Sequence, residues 1–383
     1  MNTSWTADNN DSFDVICLSH LRWDFVYQRP QHLMSRFGKN GRVFFFEEPV
    51  FTNVATHLDV SPRDRNITVC VPHIPHGTGE SEAENLQRSL LEEFLKEKNI
   101  ENYILWYYTP MALGFSEALD PLAIVFDCMD ELSAFDFAPP LLKTREEELL
   151  KKADVVFTGG QSLYEAKKSR HHNIHPYPSS IDRAHFLKAR AMKDEPEDQK
   201  NIPSPRLGFI GVIDERLDRD LLKELAALRP EWNFVMVGPV VKINPADLPK
   251  ADNIFYLGGK SYNDLPQYLA HWDVALLPFA RNKSTQYISP TKTPEYLAAG
   301  LPVVSTSIRD VIYPYGELEL VEIADTAVEF AKAAERLLTV KHDANRLEKV
   351  DKFLSENSWD DTFARMKHEI VKVMKHEEVV KEL

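Results

Sequence analysis

No cysteine framework is available to this chain. Cys17, Cys70 and Cys128 are its only thiols, none forms a Cys-x-x-Cys pair, and each lies in or beside an apolar run. That excludes a disulfide scaffold or zinc ribbon and predicts buried free thiols in a reducing compartment. No apolar run approaches the roughly 20 residues needed to span a bilayer. Residues 1–11 lack both the basic and the apolar region of a secretory signal, so they read as a frayed polar start to a cytoplasmic protein. Short repeats, low-complexity tracts, a Gly-x-Gly-x-x-Gly fingerprint and any Ser-His-Asp arrangement are missing as well. Positive charge is short too: 45 Lys and Arg against 59 Asp and Glu give a net charge of −14. That balance disfavours nucleic acid as the main partner.

What is present is a two-domain α/β pattern. A length of 383 residues exceeds one ordinary core, and 43% hydrophobic with 27% charged residues suits a globular protein. Short apolar runs alternate with helical patterns, as in parallel sheets covered by helices on both faces. Strands are predicted at 14–19, 42–47, 67–72, 103–107, 123–127, 154–158 and 174–177. They resume at 206–212, 233–237, 254–257, 274–278, 302–305 and 318–322. The stretch 188–205 is charged, carries prolines and has few large apolar residues, so it reads as a linker. The expected division is 1–187, the linker 188–205, 206–357, and a terminal helix in 358–383. Phe363, Met366, Ile370 and Met374 in that last stretch follow the helical spacing of a buried stripe.

The most informative stretch runs from Ser289 to Thr306. Thr291 is a candidate N-cap, Pro294 fits a first helical turn, and Gly300 with Leu301-Pro302 marks the stop. Lys292 is the anomaly, because a cation in the first turn opposes the helix dipole. It becomes sensible beside a bound anion such as a phosphate. The segment resembles the nucleotide-binding signature of GT-B glycosyltransferases. The resemblance implies two doubly wound Rossmann-like domains facing each other across a cleft, with Lys292 at the diphosphate and Glu295 at the ribose of a sugar nucleotide. Ser289, Pro290 and Thr291 would lead into that site.

Other strand ends extend the set, since open α/β sheets bind ligands at the carboxyl ends of their strands. Gly211 lets backbone approach a phosphate, and Arg216 offers a bidentate fork close to Asp214. Gly238-Pro239 and Leu257-Gly258 end the next two strands and resemble family positions lining the base and sugar pockets. In the first half, the loop from His20 to Leu33 is rich in aromatic and cationic residues. Its Arg29-Pro30-Gln31-His32-Leu33 run resembles bacterial glycosyltransferases of polysaccharide and cell-surface assembly. Trp23 and Tyr27 are candidates to stack on a sugar, and His20 or Arg29 to reach a phosphate. Asp127, Asp130 and Glu131 follow a buried strand and could position an acceptor hydroxyl or accept its proton, with Asp130 placed first, Glu131 second and Asp136 a further candidate.

The resemblance therefore implies a glycosyltransferase using a nucleoside-diphosphate sugar, UDP favoured because it is common in the family. The acceptor would be a saccharide or lipid-linked, with peripheral membrane contact in the latter case, at the inner face of the membrane. Arg216 and Lys292, with Asp130 and Glu131, would carry the chemistry; no metal or other cofactor is expected. Retention of anomeric configuration follows from family likeness. Two departures stand out: Tyr287 replaces an acid common eight positions before Glu295, and the Trp23–Arg29 stretch replaces a Gly-Gly pair. A sugar-nucleotide epimerase and a non-catalytic nucleotide-binding scaffold are the alternatives.

Overall fold

The segment Val43–Glu47 is buried along its whole length, as a strand must be when helices cover both faces of its sheet. The computed structural model describes residues 13–381 except 65, 137 and 342, and beyond residue 374 only the backbone. Residues 1–11 lie outside the described residues. Two sheets organise the rest. The first contains β1 (Asp14–Ser19), β2 (Val43–Glu47), β3 (Val50–Thr52), β4 (His57–Pro62), β5 (Ile67–Pro75), β6 (Tyr103–Tyr107), β7 (Ala123–Cys128), β8 (Val155–Thr158) and β9 (Ile174–Pro176). Their order is β3-β5-β2-β1-β6-β7-β8-β9, with β4 antiparallel on β5 and every other pairing parallel. The second contains β10 (Arg206–Ile210), β11 (Asn233–Val237), β12 (Ile254–Gly258), β13 (Val274–Leu277), β14 (Val303–Ser305) and β15 (Glu322–Ile323), all parallel, in the order β12-β11-β10-β13-β14-β15.

Strand order reverses on either side of β1 and of β10. In the first sheet β2 and β6 flank β1; in the second β11 and β13 flank β10. Such switch points open a crevice beyond the strand ends. They place the loop after β1, with His20, and the loop after β10, with Gly211, at the ligand-binding positions of their sheets.

Helices cover the sheets. On the first lie α1 (Arg29–Phe37), α2 (Glu80–Glu97), α3 (Leu113–Ser116), α4 (Leu142–Lys152) and α5 (Gln161–Lys167). The short α6 (Arg183–Leu187) carries the chain across. On the second are α7 (Arg219–Leu228), α8 (Leu265–Leu269), α9 (Lys292–Ala298), α10 (Arg309–Val311), α11 (Ala327–Thr339) and α12 (Ala344–Leu354). The terminal α13 (Trp359–Lys381) returns to the first unit. There Trp359, Met366 and Ile370 are fully buried among Phe37, Trp106 and Phe157.

The chain leaves the first core earlier than its composition suggests. Tyr177 belongs to the first core, whereas Ile181, Phe186, Ala189 and Ile202 belong to the second. The charged stretch 188–205 is therefore not a free tether. Its polar groups are matched: Arg190 donates to Asp351 at 2.8 Å, Lys260 to Asp198 at 2.6 Å, and the Trp272 indole to buried Gln199 at 2.7 Å. Paired charges let a polar segment lie down on a domain surface. Cys17, Cys70 and Cys128 are all buried and free. Among the described residues no helix is long and apolar enough to cross a membrane.

Candidate active site

Tyr296 fixes the geometry of the second sheet's crevice. Its hydroxyl accepts from the Ile210 amide at 2.7 Å and faces the Ile210 carbonyl at 3.3 Å, tying α9 to the end of β10. Lys292 is one helical turn earlier, on the same face of α9. Its side chain is thereby laid across Gly211. A Cβ at Gly211 would stand 2.0 Å from the Lys292 Cε, and Gly211 has a φ of +146°. Gly238, with φ +150°, would place its own Cβ 1.8 Å from the Gly211 carbonyl oxygen. Both glycines are required by close approach as well as by backbone conformation. The ammonium ends 5.6 Å and 5.9 Å from the ring centroids of Phe209 and Phe279.

Arg216 arrives beside it from the loop after β10. Asp214, 2% exposed, grips the guanidinium through contacts of 3.0, 3.1 and 2.7 Å. A fork held that way loses less freedom when it binds an anion. Burial and repulsion from Arg216 pull the Lys292 ammonium down to about 8, while Glu295, Asp214 and Asp130 hold it up. Burial pushes the Glu295 carboxyl up, with Lys292 opposing. Two cations thus stand together, with Glu295 three residues further along the helix acting on Lys292. Pro239 accepts from the Ile213 amide, and Gly238 donates to the Gly258 carbonyl, so Leu257-Gly258 adjoin the same rim. Ser289 and Pro290 lead into α9, and Ser289 lies against Gly160 of the first unit.

Thr291 does not cap the helix. Its backbone is already αR, with φ −57° and ψ −29°, and its hydroxyl accepts no bond there. An N-cap side chain can reach back only from extended backbone. The helix stop is as expected: Gly300 has φ +88°, and the Leu301 amide donates to the Tyr296 carbonyl at 3.0 Å.

Across the crevice, Asp130 and His20 come from the first sheet. Burial pushes the Asp130 carboxyl up, against the pull of Arg216, Lys242 and Lys292 from the second. His20 is drawn down to about 4, chiefly by burial and further by Lys242, so its ring is neutral at pH 7. Its Nδ1 is buried without a hydrogen-bond partner among the described residues. Phe135, in the loop after β7, is shared by Lys242 at 4.8 Å and Arg216 at 5.6 Å. Asp310 accepts from the Ser162 amide at 2.9 Å and from its hydroxyl, a second contact between the halves. Sequence reasoning missed Lys242 and Phe135. Lys242 sits at φ +61°, which no side-chain pattern signals, and Phe135 acquires its role only by facing the other half.

Other first-half candidates are occupied elsewhere. Arg29 is 2% exposed and Asp127 is fully buried. Arg29 donates to both Asp127 oxygens at 2.8–3.1 Å and to the Tyr177 carbonyl at 2.7 Å. The expectation that these two meet a ligand is corrected: they are a buried structural pair. Glu131 is likewise held, 2.7 Å from Lys167 in a network with Glu146 and Arg170, and its other oxygen accepts from Ser133. That removes it as a free acid or base. Trp23 packs edge-on against Phe45 and its backbone bonds Glu47 and Gln31, so it shapes the loop. Tyr27 lies 4.7 Å from Tyr262 and His32, where the halves meet. Asp136 is exposed. Among the described residues no group of three or more His, Cys, Asp or Glu could hold a metal ion.

The chain is similar to known proteins in part of its sequence and in its fold. Residues 204–340 match the family model described as Glycosyl transferases group 1. A putative teichuronic acid biosynthesis glycosyltransferase of Bacillus subtilis is 24% identical over 295 residues, covering 70% of this chain and 72% of the relative. Among solved structures, a sucrose-phosphate synthase from Thermosynechococcus elongatus aligns with TM-score 0.71 at 14% identity, over 95% of this chain and all of that one. An Escherichia coli structure titled trehalose-6-phosphate, bound with UDP-2-fluoro glucose, aligns with TM-score 0.68 at 14% identity, over 93% and 98%. The catalytic domain of starch synthase IV from Arabidopsis thaliana, bound to ADP and acarbose, gives 0.63 at 10% identity, over 95% and 99%. The shared fold is GT-B.

Proposed function

We propose that this chain, which has the GT-B fold and matches the Glycosyl transferases group 1 model over residues 204–340, is a glycosyltransferase that moves a sugar from UDP to a saccharide or lipid-linked acceptor with retention of configuration. The observation that carries this reading is the convergence of Lys292 and the Asp214-braced Arg216 at the switch point of the second sheet. Cations fixed where charge develops stabilise a leaving nucleoside diphosphate without reorganising. In this reading the charge stabilisation is assigned to Lys292 and Arg216.

Glu295 sits where it can accept from donor hydroxyls, and Gly238, Pro239, Leu257 and Gly258 form the base-side rim. Uridine is favoured because the Escherichia coli neighbour is bound with a UDP sugar. Retention is favoured because a trehalose-6-phosphate synthase neighbour is titled as transferring with retention. On the acceptor side, Asp130 and neutral His20 face the cations and are assigned to orient the attacking hydroxyl. The likeness to a putative teichuronic acid biosynthesis glycosyltransferase supports a cytoplasmic site of catalysis, at the inner face of the membrane where the acceptor is lipid-linked.

The test is release of nucleoside diphosphate from UDP-, GDP- and ADP-sugars, with and without an envelope-glycan extract as acceptor, and with product glycosides detected by mass spectrometry. Acceptor-dependent UDP release with a new glycoside is the expected result. Conversion of the donor to its epimer with no glycoside would replace this reading by the epimerase one, and no turnover would leave a nucleotide-binding scaffold.

A further inference from the structure

Beside the crevice the first unit holds a cavity of about 450 Å³, at the carboxyl ends of β1 and β2 and under α2 and α3. None of its lining residues was singled out in the sequence. Ser19 and Thr109 line it, and they are the chain neighbours of His20 and Tyr108, which ties its wall to the loop carrying the proposed acceptor-side His20. Phe46, Phe51 and Phe115 supply aromatic walls. Phe51 stands at its edge, 43% exposed. Thr78, Thr109 and Gln87 add uncharged hydrogen-bonding groups.

Its charge is one-sided. Glu47, Glu48, Glu80 and Glu84 all line it, and among the described residues no lysine, arginine or histidine does. Glu47 is paired with Arg22 at 2.8 Å and Glu84 with Arg145 at 3.3 Å, whereas Glu48 and Glu80 form no salt bridge among the described residues. Carboxylates accept bonds from sugar hydroxyls, and aromatic faces cover the C–H face of a pyranose. The same carboxylates repel a phosphate or uronate, and the cations beside them, Arg22 and Arg145, are already committed to Glu47 and Glu84. The contrast with the second unit is complete, since there two cations gather for an anion.

We propose that this cavity binds the acceptor as an uncharged saccharide end, and that its carboxylates exclude acceptor residues bearing carboxylate or phosphate. This assignment rests on the proposed transfer reaction for its purpose, but the binding it requires does not depend on the donor.

The test is saturation-transfer NMR on the full-length protein, with methyl glycosides of glucose, galactose and mannose against methyl glucuronoside and galacturonoside. At least one neutral glycoside should show transfer at least fivefold above either uronoside. Met111→Trp, which fills the cavity, should abolish that signal. The surface pair Glu48→Lys and Glu80→Lys should bring the uronosides up to the level of the neutral probes, and keeps the test valid if Met111→Trp fails to fold. Equal signals for neutral and anionic probes, silence from all of them, or no response to either set of substitutions would overturn the proposal. A UDP-induced rise in melting temperature is measured on the same samples. If it persists while the glycosides stay silent, only the cavity assignment falls; if it is absent while a glycoside binds, the donor reading falls alone.

Discussion

Lys292→Ala is expected to lower kcat/KM for sugar transfer by about 10²–10³, the loss seen when one fixed charge-stabilising donor is removed from a reaction centre. The loss should appear in kcat as well as KM, because the ammonium meets more charge as the diphosphate departs than in the bound donor. Lys292→Met should give nearly the same loss. It keeps an unbranched chain over Gly211 and against Phe209 and Phe279, so the effect belongs to the charge. Melting temperature should hold in both variants, since the ammonium is already pulled down by burial and by Arg216. The same position gives a pH signature. An amine that titrates near 8 attracts a diphosphate below that pH and loses its charge above it. Affinity for UDP should therefore fall as pH rises through about 8 in the wild type and stay flat across that range in Lys292→Met. Transfer at wild-type rates in both variants would remove Lys292 from the mechanism.

Arg29→Ala is expected to destabilise the protein by about 3–5 kcal/mol, the range for removing one partner of a buried ion pair. The alanine would leave the Asp127 carboxylate buried with its two-pronged partner gone and the Tyr177 carbonyl without its donor. Replacing both members, Arg29→Met with Asp127→Leu, should recover much of that loss, because apolar side chains need no partner. Urea unfolding followed by tryptophan fluorescence checks both, and Trp106 in the same core is the natural probe. A stable Arg29→Ala protein with weakened substrate binding would restore Arg29 to the ligand side and contradict its structural assignment.

Arg29 also shows where sequence reading stops. An arginine before a proline at a helix start, in a loop of aromatic residues, has the look of an exposed ligand contact. Its partner is 98 residues away, and only the folded sheet brings Asp127 to it. Glu131 is a parallel case, because Lys167 lies at the end of α5, brought to it only by the fold. The second unit was more legible because its signals are local. Gly300 stops α9 by its own backbone conformation, and the misplaced charge of Lys292 is visible within one helical turn. Thr291 failed as a cap for a reason no sequence pattern carries, its helical backbone. The strand β4 was not anticipated either: it is a half-exposed edge strand ending in Pro62, held by antiparallel pairing to β5 rather than by a buried run. The cavity under α2 was invisible because its walls come from distant segments, joined only at the carboxyl ends of the folded strands.

The central claim is that the second unit grips a nucleoside diphosphate through Lys292 and Arg216. The measurement that tests it most directly is a thermal-shift titration of the wild type and Lys292→Ala with UDP, GDP, ADP and inorganic phosphate. A ligand that binds only the folded state raises stability in proportion to the logarithm of its concentration over Kd. The account predicts a rise with UDP that exceeds those with the other nucleotides and with phosphate, and that is lost in the variant. No rise with any nucleoside diphosphate, or an equal rise in Lys292→Ala, would contradict it.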